Sequence, residues 1–255
     1  MTTKIEWCDV TISPYPGCLH GCLYCYGPPM VRRFGKNWGM NLEFKPQWFP
    51  ERLPDLVTVK GVVFVNSMGD LFGNWVSDKL LDETFTAMLS NPHKPSFMML
   101  TKNPARYHDL VKRYPVLPGN FWLGATLDVG YETNAPPVEE RVKAINGLGY
   151  PRKWFSIEPY DPDQFMFYWG MAQHIDVQWV VIGVRTNPIM RLDDGEFHDL
   201  HELITTFQDR SVKVFVKNSI VGQWNAGWPR EFPENVRLAT KKAEWKPKVK
   251  KSRKR

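Results

Sequence analysis

Residues 17–26 read GCLHGCLYCY, which places Cys18, Cys22 and Cys25 in a C-x3-C-x2-C spacing within a glycine-containing loop. Three thiolates so close together suit few purposes. A disulfide consumes two, and structural zinc takes four ligands, so zinc here needs a fourth from Cys8 or a distant histidine. His20 lies inside the loop, poorly placed to reach the same metal as its neighbours, and reads as a loop residue. A cubane iron–sulfur cluster normally takes four thiolates. Held by three, it keeps one iron open to an outside ligand. Spacing alone leaves both the zinc and the cluster readings open. Cys8 reads as a buried, inert thiol, with a reactive thiol near the site as the alternative.

The loop has to be held by the elements around it. Short β-branched or aromatic runs recur at GVVFVN (61–66), SFMMLT (96–101), FWLGAT (121–126), KWFSIE (153–158), WVVIGV (179–184) and VKVFVK (212–217). Each is too short for a helix and reads as a buried strand. A weaker first strand lies in DVTISPY (9–15), directly before the cysteines. Helices are predicted between them at Ser77–Ser90, Pro104–Arg113, Val138–Gly147 and Glu196–Asp209. Strand–helix alternation of this kind implies a parallel sheet covered by helices. The expected fold is α/β, a partial (β/α)6 TIM-like barrel over residues 1–240, with a flat doubly wound sheet as the structural alternative. In both, the site belongs at the carboxyl ends of the strands.

Residues 241–255, KKAEWKPKVKKSRKR, hold nine Lys or Arg and one Glu, a net of +8. The whole chain carries +6, so the remainder sums to −2 and the basic character sits in this stretch. Such a run cannot pack a core and reads as a disordered tail suited to a polyanion, with Trp245 available to stack on a base. No apolar run approaches the ~20 residues of a membrane span. The N-terminus lacks a signal-peptide pattern, so the expected location is the cytoplasm, where clustered cysteines serve as ligands or catalysts more often than as disulfides.

C-x3-C-x2-C with an aromatic residue before the last cysteine, in a loop after a first strand, resembles the signature of radical S-adenosylmethionine (SAM) enzymes. The resemblance implies that Cys18, Cys22 and Cys25 hold a [4Fe–4S] cluster whose fourth iron takes the amino and carboxylate groups of SAM. An external one-electron reductant then drives cleavage to a 5′-deoxyadenosyl radical, which abstracts hydrogen from substrate. Tyr24 would be the aromatic wall beside cluster and SAM. The family's Gly-Gly-Glu-like segment aligns with Ser67, Met68, Gly69 and Asp70, a departure in which Asp70 replaces the glutamate. Ribose contacts would fall to Thr126, Asp128, Ser156 and Glu158, and adenine would lie against Ile182 and Gly183. For Asp128 and Glu158 a salt bridge is an equal alternative.

A narrower resemblance covers about residues 4–220, through KIEWCD, FVNSMGDLF, LTKNP, WLGATLD, FSIEP and WVVIG. These segments look like a group of phage-associated radical SAM proteins of poorly defined function. Where that group runs into Gly-Glu-Ser-Gly after the sixth strand, this chain reads GVRTNP, so Arg185 departs. Lys102, Asp128, Arg185 and Lys217 stand as candidate catalytic residues. The three cations would make the mouth positive and suit an anionic substrate. The resulting expectation is a phage enzyme, located in the host cytoplasm, acting on a modified nucleobase in DNA. A radical rearrangement in thymidine hypermodification is one concrete form, since family members serve such pathways. A peptide or small-metabolite substrate is one rival, and a non-catalytic zinc-stabilised nucleic-acid-binding module is the other.

Overall fold

The structure, a computed structural model, describes residues 3–186, 188–224 and 227–239. Seven strands, β1 (Val10–Ile12), β2 (Val62–Val65), β3 (Ser96–Thr101), β4 (Phe121–Leu127), β5 (Lys153–Ile157), β6 (Trp179–Ile182) and β7 (Lys213–Val216), follow one another in space as in sequence. Every neighbouring pair is parallel. The six crossovers between them carry α1 (Gly27–Phe34) and α2 (Leu53–Thr58), then α3 (Asp78–Leu89), α4 (Arg106–Arg113), α5 (Val138–Asn146), α6 (Phe165–Ala172) and α7 (Asp194–Asp209) in turn. A short α8 (Asn218–Val221) follows β7.

The strands are apolar on both faces because both are covered, as parallel sheets require. Val63, Met99, Leu123, Phe155, Val180 and Val214 face the helices in the main core. The alternate positions Phe64, Met98, Trp122, Trp154, Trp179 and Phe215 pack with Trp7 and Cys8 on the other face. Trp7 shows the sheet's curvature. Its ring lies 4.8 Å from Phe64 on β2, 5.2 Å from Trp154 on β5 and 5.8 Å from Trp179 on β6. A flat sheet would hold β2 and β6 about 19 Å apart at ~4.8 Å per strand. One indole can touch both only because the sheet curls around it. The architecture is therefore an α/β half-barrel compatible with a partial TIM-like barrel. It is not a flat, doubly wound sheet.

β1 and β7 do not pair with each other. Glu6, in the segment before β1, spans that seam, while Asp9 ties β2 to the end of the described chain. Glu6 accepts hydrogen bonds from the Asn218 backbone N–H (2.9 Å) and from Arg230 (2.9 Å). Asp9 accepts from Val62 N–H and Ala239 N–H, both at 2.9 Å.

Some helix boundaries differ from those expected. α7 starts at Asp194, before Glu196, because Asp193 and Glu196 form a reciprocal capping box. α4 starts at Arg106, after Pro104, since Thr101 and Asn103 make a turn first. α1 was not anticipated: its Gly-Pro-Pro opening reads as a loop, yet proline suits a helix's first turn. α6 (FMFYWGMA) hid for another reason, being apolar all round and thus without a helical period. No helix among the described residues is long and apolar enough to cross a membrane. The basic stretch at 241–255 lies outside the described residues.

Candidate functional site

The cysteine loop leaves β1 at the carboxyl edge of the sheet and is fastened to the loop after β2. Gly17 and Gly69 form a parallel bridge that prolongs the β1–β2 pairing. Both must be glycine. Gly17 has φ +95°, and a Cβ there would stand 2.3 Å from the Lys45 carbonyl oxygen. A Cβ on Gly69 would stand 2.5 Å from the Gly17 carbonyl. Buried Asn66, with a left-handed φ of 62°, locks the same crossing. Its carboxamide accepts from Tyr15 N–H at 3.0 Å and donates to the Tyr15 carbonyl at 2.9 Å. The Ser67–Asp70 stretch thus lies against the cysteine loop. Tyr26 donates to the Ser67 carbonyl at 2.5 Å, Met68 N–H donates to the Ser13 hydroxyl at 3.2 Å, and Gly17 N–H donates to the Met68 carbonyl at 2.8 Å.

The three thiols are gathered in this loop. Cys18 and Cys25 pack with Met68 on a small apolar cluster of Val31, Met40, Phe44 and Phe49. The Cys22 sulfur lies 3.4 Å from the Thr133 hydroxyl, and Gly27 N–H donates to the Cys25 sulfur at 3.4 Å. Burial pushes the Cys18 thiol up to about 12 and raises Cys25 as well, and Cys18 also feels charge at Cys22 and Cys25. Among the described residues, no three His, Cys, Asp or Glu side chains are grouped as ligands of a single metal ion. Cys8 packs outside the loop, fully buried beside Trp7 on the concave face and within electrostatic reach of Tyr26.

His20 is more than a loop residue. It is buried, its Nε2 lies 2.8 Å from Asp70, and its ring meets Trp75 edge-on at 4.9 Å. Its carbonyl accepts from Thr133 and from Asn134 N–H, tying the loop to the segment after β4. Asp70 is saturated. Beyond His20 it accepts from the Thr101 hydroxyl (2.9 Å), Lys102 N–H (2.9 Å) and Phe72 N–H (2.9 Å). Burial would raise its carboxyl, but His20 and these donors outweigh it and hold the group below the usual carboxylate range. Asp70 therefore anchors the cysteine loop through His20, and its oxygens are already engaged.

Strand alternation carries Lys102, Thr126, Asp128, Ser156, Glu158, Gly183, Arg185 and Lys217 onto the face that Trp122, Trp154 and Val181 line lower down. Asp128 is fully buried at the centre of a network. Its Oδ2 accepts from Lys102 Nζ and from the Tyr24 hydroxyl, each at 2.7 Å, and its Oδ1 pairs with Arg141. Lys102 also reaches the Tyr24 oxygen at 2.5 Å. Burial opposes ionisation of Asp128, but Lys102 and Arg141 outweigh it and depress its carboxyl. Burial together with Asp128 pushes the Tyr24 phenol far up, so it stays protonated as a donor.

A second pair, Glu158 and Lys217, joins the ends of β5 and β7 above Gly183, where a Cβ would meet Lys217 at 2.9 Å. The Gly183 N–H and carbonyl are both bonded, to Ile157 and Tyr160. Ile182 turns its side chain to the helices, and its carbonyl accepts from Lys217 N–H. Thr126 and Ser156 are buried at the same level. Arg185, at the end of β6, stands apart from both ion pairs.

Sequence reasoning missed Arg141, Asn66 and the pairing of His20. Arg141 carried a signal, being the one basic residue in the first turn and a half of an amphipathic helix whose neighbours are Glu139 and Glu140. Its burial at 1% exposed could not be read from that pattern.

A curled parallel sheet bearing three thiols in the loop after its first strand defines an α/β half-barrel with a cysteine-rich mouth. The chain belongs to the family described as protein of unknown function (DUF5131), whose model matches residues 2–246. No curated protein and no solved structure matches it.

Proposed function

We propose that the chain is a radical SAM enzyme in which Cys18, Cys22 and Cys25 hold a [4Fe–4S] cluster. The observation that carries this reading is the placement of three thiols in one loop at the carboxyl edge of a parallel half-barrel, with the fourth cysteine buried elsewhere. The residues present fit such a group. Cys18 and Cys25 are half-buried and costly to ionise alone, and a cationic metal centre beside them would favour their thiolate forms. When bound, the cluster and SAM supply the radical chemistry, with electrons from an external one-electron reductant.

The chain's own task is placement. Gly17, Asn66 and Gly69 set the loop against β2, and His20 with Asp70 pins its middle. Tyr24 is held by Asp128 and Lys102 so that its ring, edge-on to Tyr131 at 5.1 Å, forms a fixed wall beside the thiols. The concave face below is closed by tryptophans that keep water from the base of the barrel. The substrate proposed is a modified nucleobase in DNA, carried by the narrower resemblance and the basic stretch at 241–255. An enzyme acting within a duplex would have to extrude that base.

Anaerobic reconstitution of the full chain with iron and sulfide tests the chemistry. The expected result is a brown protein that forms 5′-deoxyadenosine from SAM and dithionite, and a Cys22→Ala variant that loses colour and cleavage together. A colourless wild-type protein, or one that takes up only zinc, would overturn the reading. Mass spectrometry of nucleosides from phage DNA exposed to the loaded enzyme addresses the substrate.

A further inference from the structure

We infer that Arg185 is the substrate's anion anchor, a binding residue that holds a carboxylate or phosphate group of the substrate at the end of β6. The inference deepens the enzyme reading above by naming the substrate's chemical class, and it rests on that reading for where the substrate lies.

Three cations reach the mouth, and the structure treats them differently. Lys102 is neutralised by Asp128 at 2.7 Å and also donates to Tyr24. Lys217 is neutralised by Glu158. Arg185 forms no salt bridge among the described residues, and no hydrogen bond from its guanidinium is found there. Its Nε is buried without a partner. Buried guanidinium groups are normally saturated by carboxylates or carbonyls, as Arg141 is here. A half-buried arginine left unmatched beside two matched lysines is a donor set to which no described residue supplies an acceptor.

The surroundings say what would complete it. Arg185 lies within electrostatic reach of Tyr131 and Asp161, and Tyr131 meets the ring of Tyr24. The guanidinium therefore lies within electrostatic reach of the ring that meets Tyr24 of the cysteine loop. Asp161 is the nearby acid, but it is beyond ion-pair distance. Its Oδ1 accepts from Asp163 N–H at 3.2 Å, as the cap of the turn Pro162–Gln164. What remains is a planar fork of donors suited to a two-oxygen anion, which a lysine would bind only as a point charge.

Two sources offer that chemistry: a carboxylate on a substituted base, and the phosphate of a nucleotide. Equilibrium binding to the full-length, oxidised protein separates them with three probes. These are thymidine, thymidine 5′-monophosphate, and thymidine carrying a glycine on its 5-methyl carbon. The expected result is that one anionic probe binds at least about tenfold more tightly than thymidine. Arg185→Gln should remove that preference without weakening thymidine itself, and Arg185→Lys should restore only part of it. Preference for the glycine probe assigns the carboxylate, and preference for the monophosphate assigns the phosphate. A wild-type protein that does not distinguish or does not bind the three, or an Arg185→Gln variant that keeps the preference, overturns the inference. The enzyme reading fails separately, by absence of SAM cleavage with dithionite. Because SAM cleavage is read on the wild-type protein and the anion preference on the Arg185→Gln comparison, failure of one reading is distinguishable from failure of the other.

Discussion

Asp128 is the residue on which most of the mouth's polar order depends. It accepts from Lys102, Tyr24 and Arg141 at once while having no exposed surface. Removing one member of a buried charge network leaves the others uncompensated, at a cost of about 3–5 kcal/mol. Asp128→Asn should therefore lower the midpoint of chemical denaturation by a corresponding amount and release the Tyr24 ring. The pH dependence has a definite sign. The folded carboxyl is depressed below its unfolded value, so its stabilisation is present above the ordinary Asp range, near pH 4, and is lost as pH falls through the folded value. Acid unfolding of the wild type should accordingly be steeper than that of Asp128→Asn. Equal acid limbs in the two proteins would remove Asp128 from this role. At this scale the sequence showed the acid and its neighbour Lys102 as polar groups at strand ends. It could not show that they pair with each other, because they are 26 residues apart and meet only when β3 and β4 align.

At the scale of elements, the informative feature is the crossing of the loops after β1 and β2. Gly17 closes it with a positive φ and a backbone approach that admits no Cβ. Gly17→Ala would hold strain of about 1–3 kcal/mol and push the Lys45 carbonyl away. The expected outcome is lower iron uptake on reconstitution with an unchanged far-ultraviolet circular dichroism spectrum, because the seven strands do not depend on this loop. Full iron content in the variant would show that the crossing does not position the thiols. Strands β2 to β7 were legible within a position or two, since each is a short apolar run bounded by turn residues, whereas β1 ends at Ile12, three residues before the expected end at Tyr15. Helix α1 was not legible, because its Gly-Pro-Pro opening resembles a loop, and α6 was not, because it is apolar all round and carries no polar–apolar period.

For the whole molecule, the division between a nearly neutral body and a strongly basic carboxyl end has a measurable consequence. Nine Lys or Arg between 241 and 255 can release counterions from phosphates. Deleting residues 241–255 should weaken DNA binding at moderate salt and flatten its salt dependence, while SAM cleavage without DNA stays unchanged. Undiminished DNA affinity in the truncated protein would favour a peptide or small metabolite as substrate. The half-barrel frames this division. Its open seam between β1 and β7 is held by Glu6, which accepts from Asn218 after β7 and from Arg230, so segments near the two ends of the described chain stabilise the same edge of the sheet.

The amino-acid sequence by itself determined the alternation of strands and helices, the parallel sheet and the three thiols after the first strand. These follow from local patterns of apolar residues and from covalent spacing, which need no partner distant in the chain. The tertiary structure decided the rest. It curled the sheet around Trp7, made Asp70 and His20 an anchor for the loop, and paired two of three mouth cations with acids from other strands. The physical reason is that a charge's role depends on which opposite charge folding brings within a few ångströms of it. Lys102, Lys217 and Arg185 are alike in sequence as cations after a strand, and only their neighbours in space show that Arg185 lacks a paired acid among the described residues.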